Sequence, residues 1–241
     1  MKRTKNPAKE AEYRKRAADL VAQMTLHEKV SQMLSWAPAI ERLGIPAYNW
    51  WSEGIHGVGR AGTATVFPQA IGMAAAFDED MMEQVGNAIG VEARGKYNMC
   101  RAHGDRDIFK GLTVWAPNIN IFRDPRWGRG HETYGEDPFL TSRLGVRFVE
   151  GMQGDDPDYL QAAACAKHFA VHSGPESDRH HFNAIVSKQD LWETYLPAFR
   201  ALVKEAGVEA VMGAYNRTNG EPCCGCLLYT SPSPRDRTRS R

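Results

Sequence analysis

Apolar residues recur at helical spacing in several separate segments of the 241-residue chain. Thr25 and Glu28 form a capping-box pattern, which predicts a helix that ends before Pro38. The apolar positions before residue 24 predict an earlier amphipathic helix on the domain surface. Further helices are predicted over residues 68–76, 80–97, 139–152 and 190–206.

Three apolar runs between these helices predict strands, over residues 112–116, 161–170 and 208–215. Residues 43–67 are rich in Gly and aromatic side chains without a sustained period, which predicts short strands and long loops. Strands that alternate with helices indicate βαβ units and a parallel sheet. Because the (β/α)8 barrel typically takes ~250 residues, the predicted fold class is α/β, a TIM-type (β/α)8 parallel barrel.

The charge balance narrows the classes of partner. The chain has 30 Lys and Arg against 29 Asp and Glu, a formal net charge of +1. Proteins that bind nucleic acid or an anionic membrane usually carry a basic excess, so neither partner is expected. No apolar run approaches the ~20 residues that span a bilayer.

Cysteine usage and the first residues of the chain indicate a cytoplasmic protein. The five cysteines are odd in number and irregularly spaced, which favours reduced thiols over a disulfide framework. The first 24 residues are basic and lack the apolar stretch of roughly 7–15 residues that a secretory signal needs.

The composition changes abruptly at residue 226. Residues 226–241 read CLLYTSPSPRDRTRSR and hold four Arg and one Asp. Such a segment is typical of a disordered basic tail. It also looks like a translated sequencing adapter, and we favour this second interpretation. The predicted organisation is a helical extension over residues 1–24, a partial barrel domain over 25–225 and a non-native disordered tail over 226–241.

The densest polar cluster covers residues 123–138, which combine Arg, Gly, Trp and acidic side chains. A solvated loop laced with ion pairs explains such a composition, because unpaired buried charge is unfavourable. However, Trp50, Trp51 and Glu53 add aromatic rings and a carboxylate, and Lys167 and His168 add hydrogen-bond donors. Together these groups suit the hydroxyls and the apolar face of a sugar.

Four strings carry a resemblance to a known family. They are WWSEGIHG at 50–57, NINIFRDPRWGRGHETYGEDP at 118–138, AACAKHF at 163–169 and VMGAYNRTNGEPCCG at 211–225. In this order they resemble the N-terminal barrel domain of glycoside hydrolase family 3, and most closely its β-xylosidase-like branch. The resemblance implies a retaining exo-acting β-glycosidase that uses two carboxylates, with xylo-oligosaccharides as substrate. A β-glucosidase of the same family is the alternative.

Carried over residue by residue, the resemblance implies a subsite for the terminal sugar. Glu53 stands where the glucosidase-like members usually have aspartate, and its extra methylene reaches into the space of a hexose hydroxymethyl group. We therefore expect selectivity for a pentose, of ~1–3 kcal/mol. Arg126, Glu132 and Glu136 are expected to brace the loop. The predicted substrate-binding residues are Glu53, Trp115, Arg129, Lys167, His168, Arg179 and Tyr215.

The resemblance also implies catalytic groups that this sequence does not supply. The family's nucleophile is an aspartate in a Ser-Asp motif after the next barrel strand, and its general acid/base comes from a later domain. The only Asp after Tyr215 is Asp236, in the suspect tail. We expect an incomplete barrel without its last strands, no catalytic residue within the chain and no activity of the chain alone. A sugar-binding remnant without catalysis is the other interpretation.

Two further functions are weighed against the hydrolase. Gly57, Gly59 and Gly62 match the GxGxxG pattern of dinucleotide-binding proteins, but that fingerprint needs a preceding strand and a helix opening within it. The sequence contains no HExxH motif and no paired CxxC motif. No cofactor and no metal are therefore expected.

Overall fold

The structure, a computed structural model, describes Thr4 and residues 6–225. The predicted tail at 226–241 lies outside the described residues. The first five α-helices along the chain are α1 Pro7–Gln23, α2 Leu26–Ser31, α3 Ala70–Ala74, α4 Glu79–Ala102 and α5 Pro138–Gln153. The strands are β1 Trp36–Ala37, β2 Tyr48–Asn49, β3 Thr113–Val114, β4 Ala163–Phe169, β5 Asn183–Ala184, β6 Ala210–Gly213, β7 Arg217–Thr218 and β8 Glu221–Pro222.

The first two helices both begin at a residue that caps them, and the second cap was predicted. In α1, Asn6 caps the backbone N–H groups of the first turn, and its side chain also donates to Asp158 (2.9 Å). The capping box of Thr25 and Glu28 is present, which confirms the start of α2. The prediction that this helix continues to Pro38 is wrong. It ends at Ser31 because the chain turns into β1, which pairs antiparallel with β2.

Helices α4 and α5 are close to their predicted bounds and pack tightly against each other. Glycines on both helices make this approach possible, because an added Cβ would overlap the partner backbone. At Gly86 the overlap is with the carbonyl oxygen of Phe148, and Met152 N would lie at 3.1 Å. At Gly151 it is with the carbonyl of Glu83. The side chain of Phe148 is fully buried at this interface.

The main sheet is parallel, as predicted, with strand order β3-β4-β6. Helix α5 connects β3 to β4, and a helical segment over residues 188–206 connects β4 to β6. One further residue, Ser52, pairs in parallel with Val114 of β3. The other two sheets are small and contain antiparallel pairs. Residues 6–225 thus form an α/β fold, and their strands do not close into a barrel.

The single helix predicted over residues 190–206 is wrong in detail, and the helical segment covers residues 188–206. It consists of α6 Lys188–Asp190, a π-helical turn Leu191–Tyr195, α7 Pro197–Ala201 and a second π-helical turn Leu202–Ala206. Pro197 has no N–H to donate, so the regular ladder cannot pass through it. The N–H of Leu196 instead reaches back five residues to the carbonyl of Leu191 (2.9 Å).

The glycine pattern at residues 57–62 lies in a loop. The next helix, α3, does not begin until Ala70, so the helix that a dinucleotide fingerprint requires is missing from this segment. Within the described part of the chain, no helix combines the length and the apolar character of a membrane span.

Candidate functional site

The candidate site lies at the carboxyl ends of the parallel strands. Glu53 follows Ser52, Trp115 follows β3, and Lys167 and His168 are near the end of β4. Tyr215 lies two residues beyond β6. Because neighbouring parallel strands end at the same edge of a sheet, their following side chains meet there.

Glu53 and Lys167 form the charged centre of the site. Lys167 Nζ lies 3.7 Å from Glu53 Oε2, and Lys167 is 3% exposed. Burial lowers the pKa of Lys167, against the opposing attraction of Glu53. The carboxylate also accepts a hydrogen bond from Trp51 Nε1 (2.8 Å). Trp51 in turn stacks on Trp115, with ring centroids 4.9 Å apart. A carboxylate, an ammonium group and an aromatic surface therefore stand side by side.

Arg129 and Glu132 form a second charged pair. Arg129 donates through Nε and Nη2 to the two oxygens of Glu132, at 2.8 and 2.6 Å. Burial alone would raise the pKa of Glu132, but the hydrogen bonds and charge of Arg129 make the net direction downward. Burial lowers the pKa of the Arg129 guanidinium as well, but Glu132 and Tyr215 raise it, and the net direction is upward. Glu132 is therefore ionised at neutral pH and holds Arg129 in place.

Asn120 fixes the orientation of His168. Its Oδ1 accepts from His168 N (2.9 Å) and contacts His168 Nδ1 (3.0 Å), and its Nδ2 donates to the carbonyls of His168 (2.8 Å) and Ala170 (3.1 Å). Arg129 Nη1 lies 3.3 Å from His168 Nε2. Since a guanidinium only donates, this network assigns the imidazole proton to Nδ1 and leaves Nε2 as the acceptor.

A second histidine is held in the same manner. Asn216 Oδ1 lies 2.9 Å from His172 Nδ1, and Asn216 Nδ2 donates to the carbonyl of Val171 (2.7 Å). The rings of His168 and His172 are 4.8 Å apart. Burial lowers the pKa of His172 to about 4 and that of His168 well below its ordinary value. Both imidazoles are therefore neutral at pH 7. Among the described residues, His172 Nε2 has no hydrogen-bond partner.

The loops after β3 and β4 are joined by Glu176. Its N–H donates to the carbonyl of Arg126 (3.0 Å), and its carboxylate accepts from Gly128 N (3.1 Å). The same carboxylate forms an ion pair with Arg179. The Arg126 side chain itself points to solvent and pairs with Asp124 (2.8 Å). Arg179 is thus placed at the site by Glu176, which is itself bonded to the loop after β3.

Tyr215 lies at the edge of the same cluster. Its ring stacks on His180 with centroids 5.1 Å apart, and it meets His172 edge-on at 5.2 Å. The hydroxyl side of Tyr215 interacts with Arg129, which links it to the charged pairs.

A cavity of about 550 Å³ opens beside these groups. Of the seven predicted residues, Glu53, Arg129 and Arg179 line it. The other four, Trp115, Lys167, His168 and Tyr215, contact residues that line it. The structure therefore brings all seven into one connected cluster. Trp51 and Glu132 also line the cavity, together with Arg60 and Phe109.

Sequence reasoning missed Asn120 and the pair of Arg60 with Phe109, and it assigned no role to Asn216. The two asparagines have a signal in hindsight, since each follows an apolar strand at a position where the backbone is buried and needs a polar partner. Arg60 and Phe109 are far apart in the chain and carry no shared motif. Within residues 6–225, no three His, Cys, Asp or Glu side chains are grouped as a metal site would require.

Sequence comparison relates the chain to known proteins. Residues 16–228 match the profile of the glycosyl hydrolase family 3 N terminal domain. The chain is 51% identical over 227 residues to the xylan 1,4-β-xylosidase of Xylanibacter ruminicola, covering 92% of this chain and 26% of that protein. It is 48% identical over 230 residues to the probable β-D-xylosidase 7 of Arabidopsis thaliana, covering 87% of this chain and 29% of that protein.

Solved structures give the same picture. A GH3 exo-β-xylosidase in complex with a xylobiose aziridine activity-based probe matches with a TM-score of 0.82 and 36% identity, over 92% of this chain and 29% of that chain. A β-glucosidase from Streptomyces venezuelae in complex with D-glucose matches with a TM-score of 0.74 and 35% identity, over 90% and 26%. The chain thus spans 26% to 29% of the length of these four proteins.

Proposed function

Because this chain belongs to glycosyl hydrolase family 3, we propose that it forms the sugar-binding wall of a retaining exo-acting β-xylosidase. The proposal rests on one observation above all: the pairs of Glu53 with Lys167 and of Arg129 with Glu132 converge on one cavity at the strand ends. Charged groups held this way donate and accept strong hydrogen bonds to hydroxyls, and those at the 2-hydroxyl strengthen in an oxocarbenium-like transition state. The substrate is then a xylo-oligosaccharide.

The preference for xylose over glucose rests on Glu53. Its side chain is held from two sides, by Trp51 Nε1 and by Lys167, so it cannot swing away from a bulkier sugar without losing both contacts. An added hydroxymethyl group would compete for the space of the carboxylate. The relatives named β-xylosidase support the same preference.

The catalytic carboxylates are proposed to lie outside this chain. A general acid needs a raised pKa, whereas the pKa of Glu132 is lowered by Arg129. The Glu53 carboxylate is likewise engaged, by an ion pair with Lys167 and a hydrogen bond from Trp51. The oxygens of both carboxylates in the cavity are engaged by donors, which suits these groups to binding rather than to proton transfer or to nucleophilic attack on the sugar. We expect no hydrolysis of xylobiose by the chain alone.

We also propose that the fold is part of a (β/α)8 barrel. The parallel positions occur in the order Ser52, β3, β4 and β6, with neighbours in sequence adjacent in space. Helix α4, helix α5 and the segment over residues 188–206 connect them. This alternation is the repeating pattern of such a barrel.

The four described cysteines are free thiols, which supports the proposal of a cytoplasmic location. Finding the protein in the secreted fraction of its source cells would contradict that location.

Titration calorimetry of the full 241-residue chain with xylose and with glucose tests the function. We expect xylose to bind about tenfold more tightly than glucose, since one misfitted group is worth ~1–3 kcal/mol. Glu53→Asp should reduce this preference by making room for the hydroxymethyl group. Glu41→Asp, an exposed change of the same kind, should leave it unaltered. Failure of both sugars to bind, with the chain folded, would refute the proposal.

A further inference from the structure

Arg60 and Phe109 form a pair at the mouth of the cavity. The Arg60 guanidinium carbon lies 5.4 Å from the centroid of the Phe109 ring, within the range of a cation–π contact. Both residues line the cavity. Phe109 is anchored in turn by Trp51, whose carbonyl accepts from Phe109 N (2.8 Å) and whose ring meets it edge-on at 6.2 Å.

Both residues hold an unfavourable backbone conformation. Arg60 has φ 60° and Phe109 has φ 68°, in the left-handed region that favours glycine. A non-glycine residue is unfavourable there because its Cβ approaches the following carbonyl oxygen. Backbone strain of this kind is concentrated at active sites and ligand clamps. Arg60 and Phe109, which are in contact with each other, both line this one cavity.

Arg60 differs from the other cations of the cavity in its pairing. Arg129 pairs with Glu132, Arg179 with Glu176 and Lys167 with Glu53. No carboxylate within the described part of the chain forms an ion pair with Arg60. Its N–H donors are therefore available, and its guanidinium lies over the Phe109 ring. A planar fork of donors is well suited to neighbouring oxygens on one sugar ring.

The cavity has room for a second sugar. A pentose has ten non-hydrogen atoms, so even at the ~30 Å³ that a whole water takes in the liquid it fills at most about 300 Å³. The cavity measures about 550 Å³. Glu53 lines this cavity and pairs with buried Lys167, whereas Arg60 lines it and is exposed to solvent. A terminal sugar at Glu53 and Lys167 would therefore direct the rest of the oligosaccharide toward Arg60.

We infer that Arg60, in contact with the Phe109 ring, forms a second subsite, which binds the neutral sugar unit attached to the terminal xylose. This inference rests on the proposed function, since it takes the terminal sugar to lie at Glu53. Phe109 is a positioning residue, because it acts through the orientation of Arg60.

The experiment compares xylose with xylobiose by titration calorimetry on the full chain. The wild-type chain should bind xylobiose about tenfold more tightly than xylose, as one charge-assisted hydrogen bond provides. Arg60→Ala should reduce this affinity ratio to about one, and Phe109→Leu should reduce it severalfold. Arg60→Lys keeps the charge and the Cβ but not the planar fork, and should also lower the ratio. Arg16→Ala, an exposed arginine of α1, is the control that should preserve it.

The outcomes separate the two proposals. If xylose binds and xylobiose binds no more tightly, the second subsite is overturned and the proposed function stands. A tenfold ratio that survives both Arg60→Ala and Arg60→Lys would overturn the assignment to Arg60. If neither sugar binds to the folded chain, the proposed function is wrong and the subsite is lost with it. Circular dichroism shows whether each variant is folded. If Arg60→Ala does not fold, the affinity ratio of Arg60→Lys alone decides the assignment.

Discussion

Replacing Asn120 by alanine should destabilise the chain strongly, although Asn120 contacts no substrate in the proposed function. The substitution removes an amide that satisfies two N–H groups of His168 and two backbone carbonyls. All of these lie in a region where Asn120 is 2% exposed and His168 is 3% exposed. A buried polar group left without a partner costs roughly 1–3 kcal/mol. With some of the four groups rescued by water, we expect a loss of about 4 kcal/mol in the free energy of unfolding.

Urea denaturation of the 241-residue chain measures this loss in the free energy of unfolding. Thermal denaturation gives a second measure, because a loss of about 4 kcal/mol should lower the melting temperature by roughly 8–16 °C in a protein of this size. Asn98→Ala is the matched control, because Asn98 is exposed on α4 and alanine favours a helix. It should change the free energy of unfolding by no more than about 0.5 kcal/mol. A loss below about 1 kcal/mol for Asn120→Ala would show that the amide does not hold the strand ends as described.

Other predictions concern packing, pH and the buried charges. Gly86→Ala should destabilise the folded chain by about 2 kcal/mol, because the added Cβ overlaps the Phe148 carbonyl. Gly95→Ala in the same helix is the control: its Cβ meets nothing within 4 Å, and it should stabilise the folded chain by ~0.5–1 kcal/mol. Thermal denaturation compares the two variants. The pKa of His172 is about 4 in the folded chain and 6.5 ordinarily, so the unfolded chain binds the proton more readily. About 3 kcal/mol of stability, fully present above pH 6.5, should be lost as the pH falls toward 4, and urea midpoints that stay constant over this range would contradict it. Lys167→Met should weaken xylose binding at least tenfold in calorimetry. It should also lower the melting temperature, because the partly buried Glu53 carboxylate is left without its ion-pair partner; unchanged binding and an unchanged melting temperature would argue against this view of the pair.

Much of the fold can be predicted from the sequence where one local pattern decides the outcome. The apolar positions Val85, Ile89 and Ala93 recur every four residues, and they are buried on α4 as that spacing requires. The helix predicted to reach Pro38 fails because strand pairing with β2 outweighs local propensity. Long-range pairing of this kind leaves no mark on a short window of sequence.

The candidate site shows the same division. Lys167 and His168 stand out as polar residues at the end of an apolar strand, and motif resemblance adds the other members of the cluster. Asn120 is less visible, since its function depends on the carbonyls that β4 brings beside it. The contact of Arg60 with Phe109 depends on two loops that follow different elements, so only the assembled structure reveals it.

The bridge made by Glu176 has a consequence for motion. The loop after β3 and the loop after β4 are joined through the carbonyl of Arg126 and the N–H of Gly128. Neither loop can lift from the cavity without breaking both of these bonds, so the two belong to one cooperative opening unit. Their amide hydrogens should exchange with deuterium at a common rate, and a bound sugar should slow both loops together.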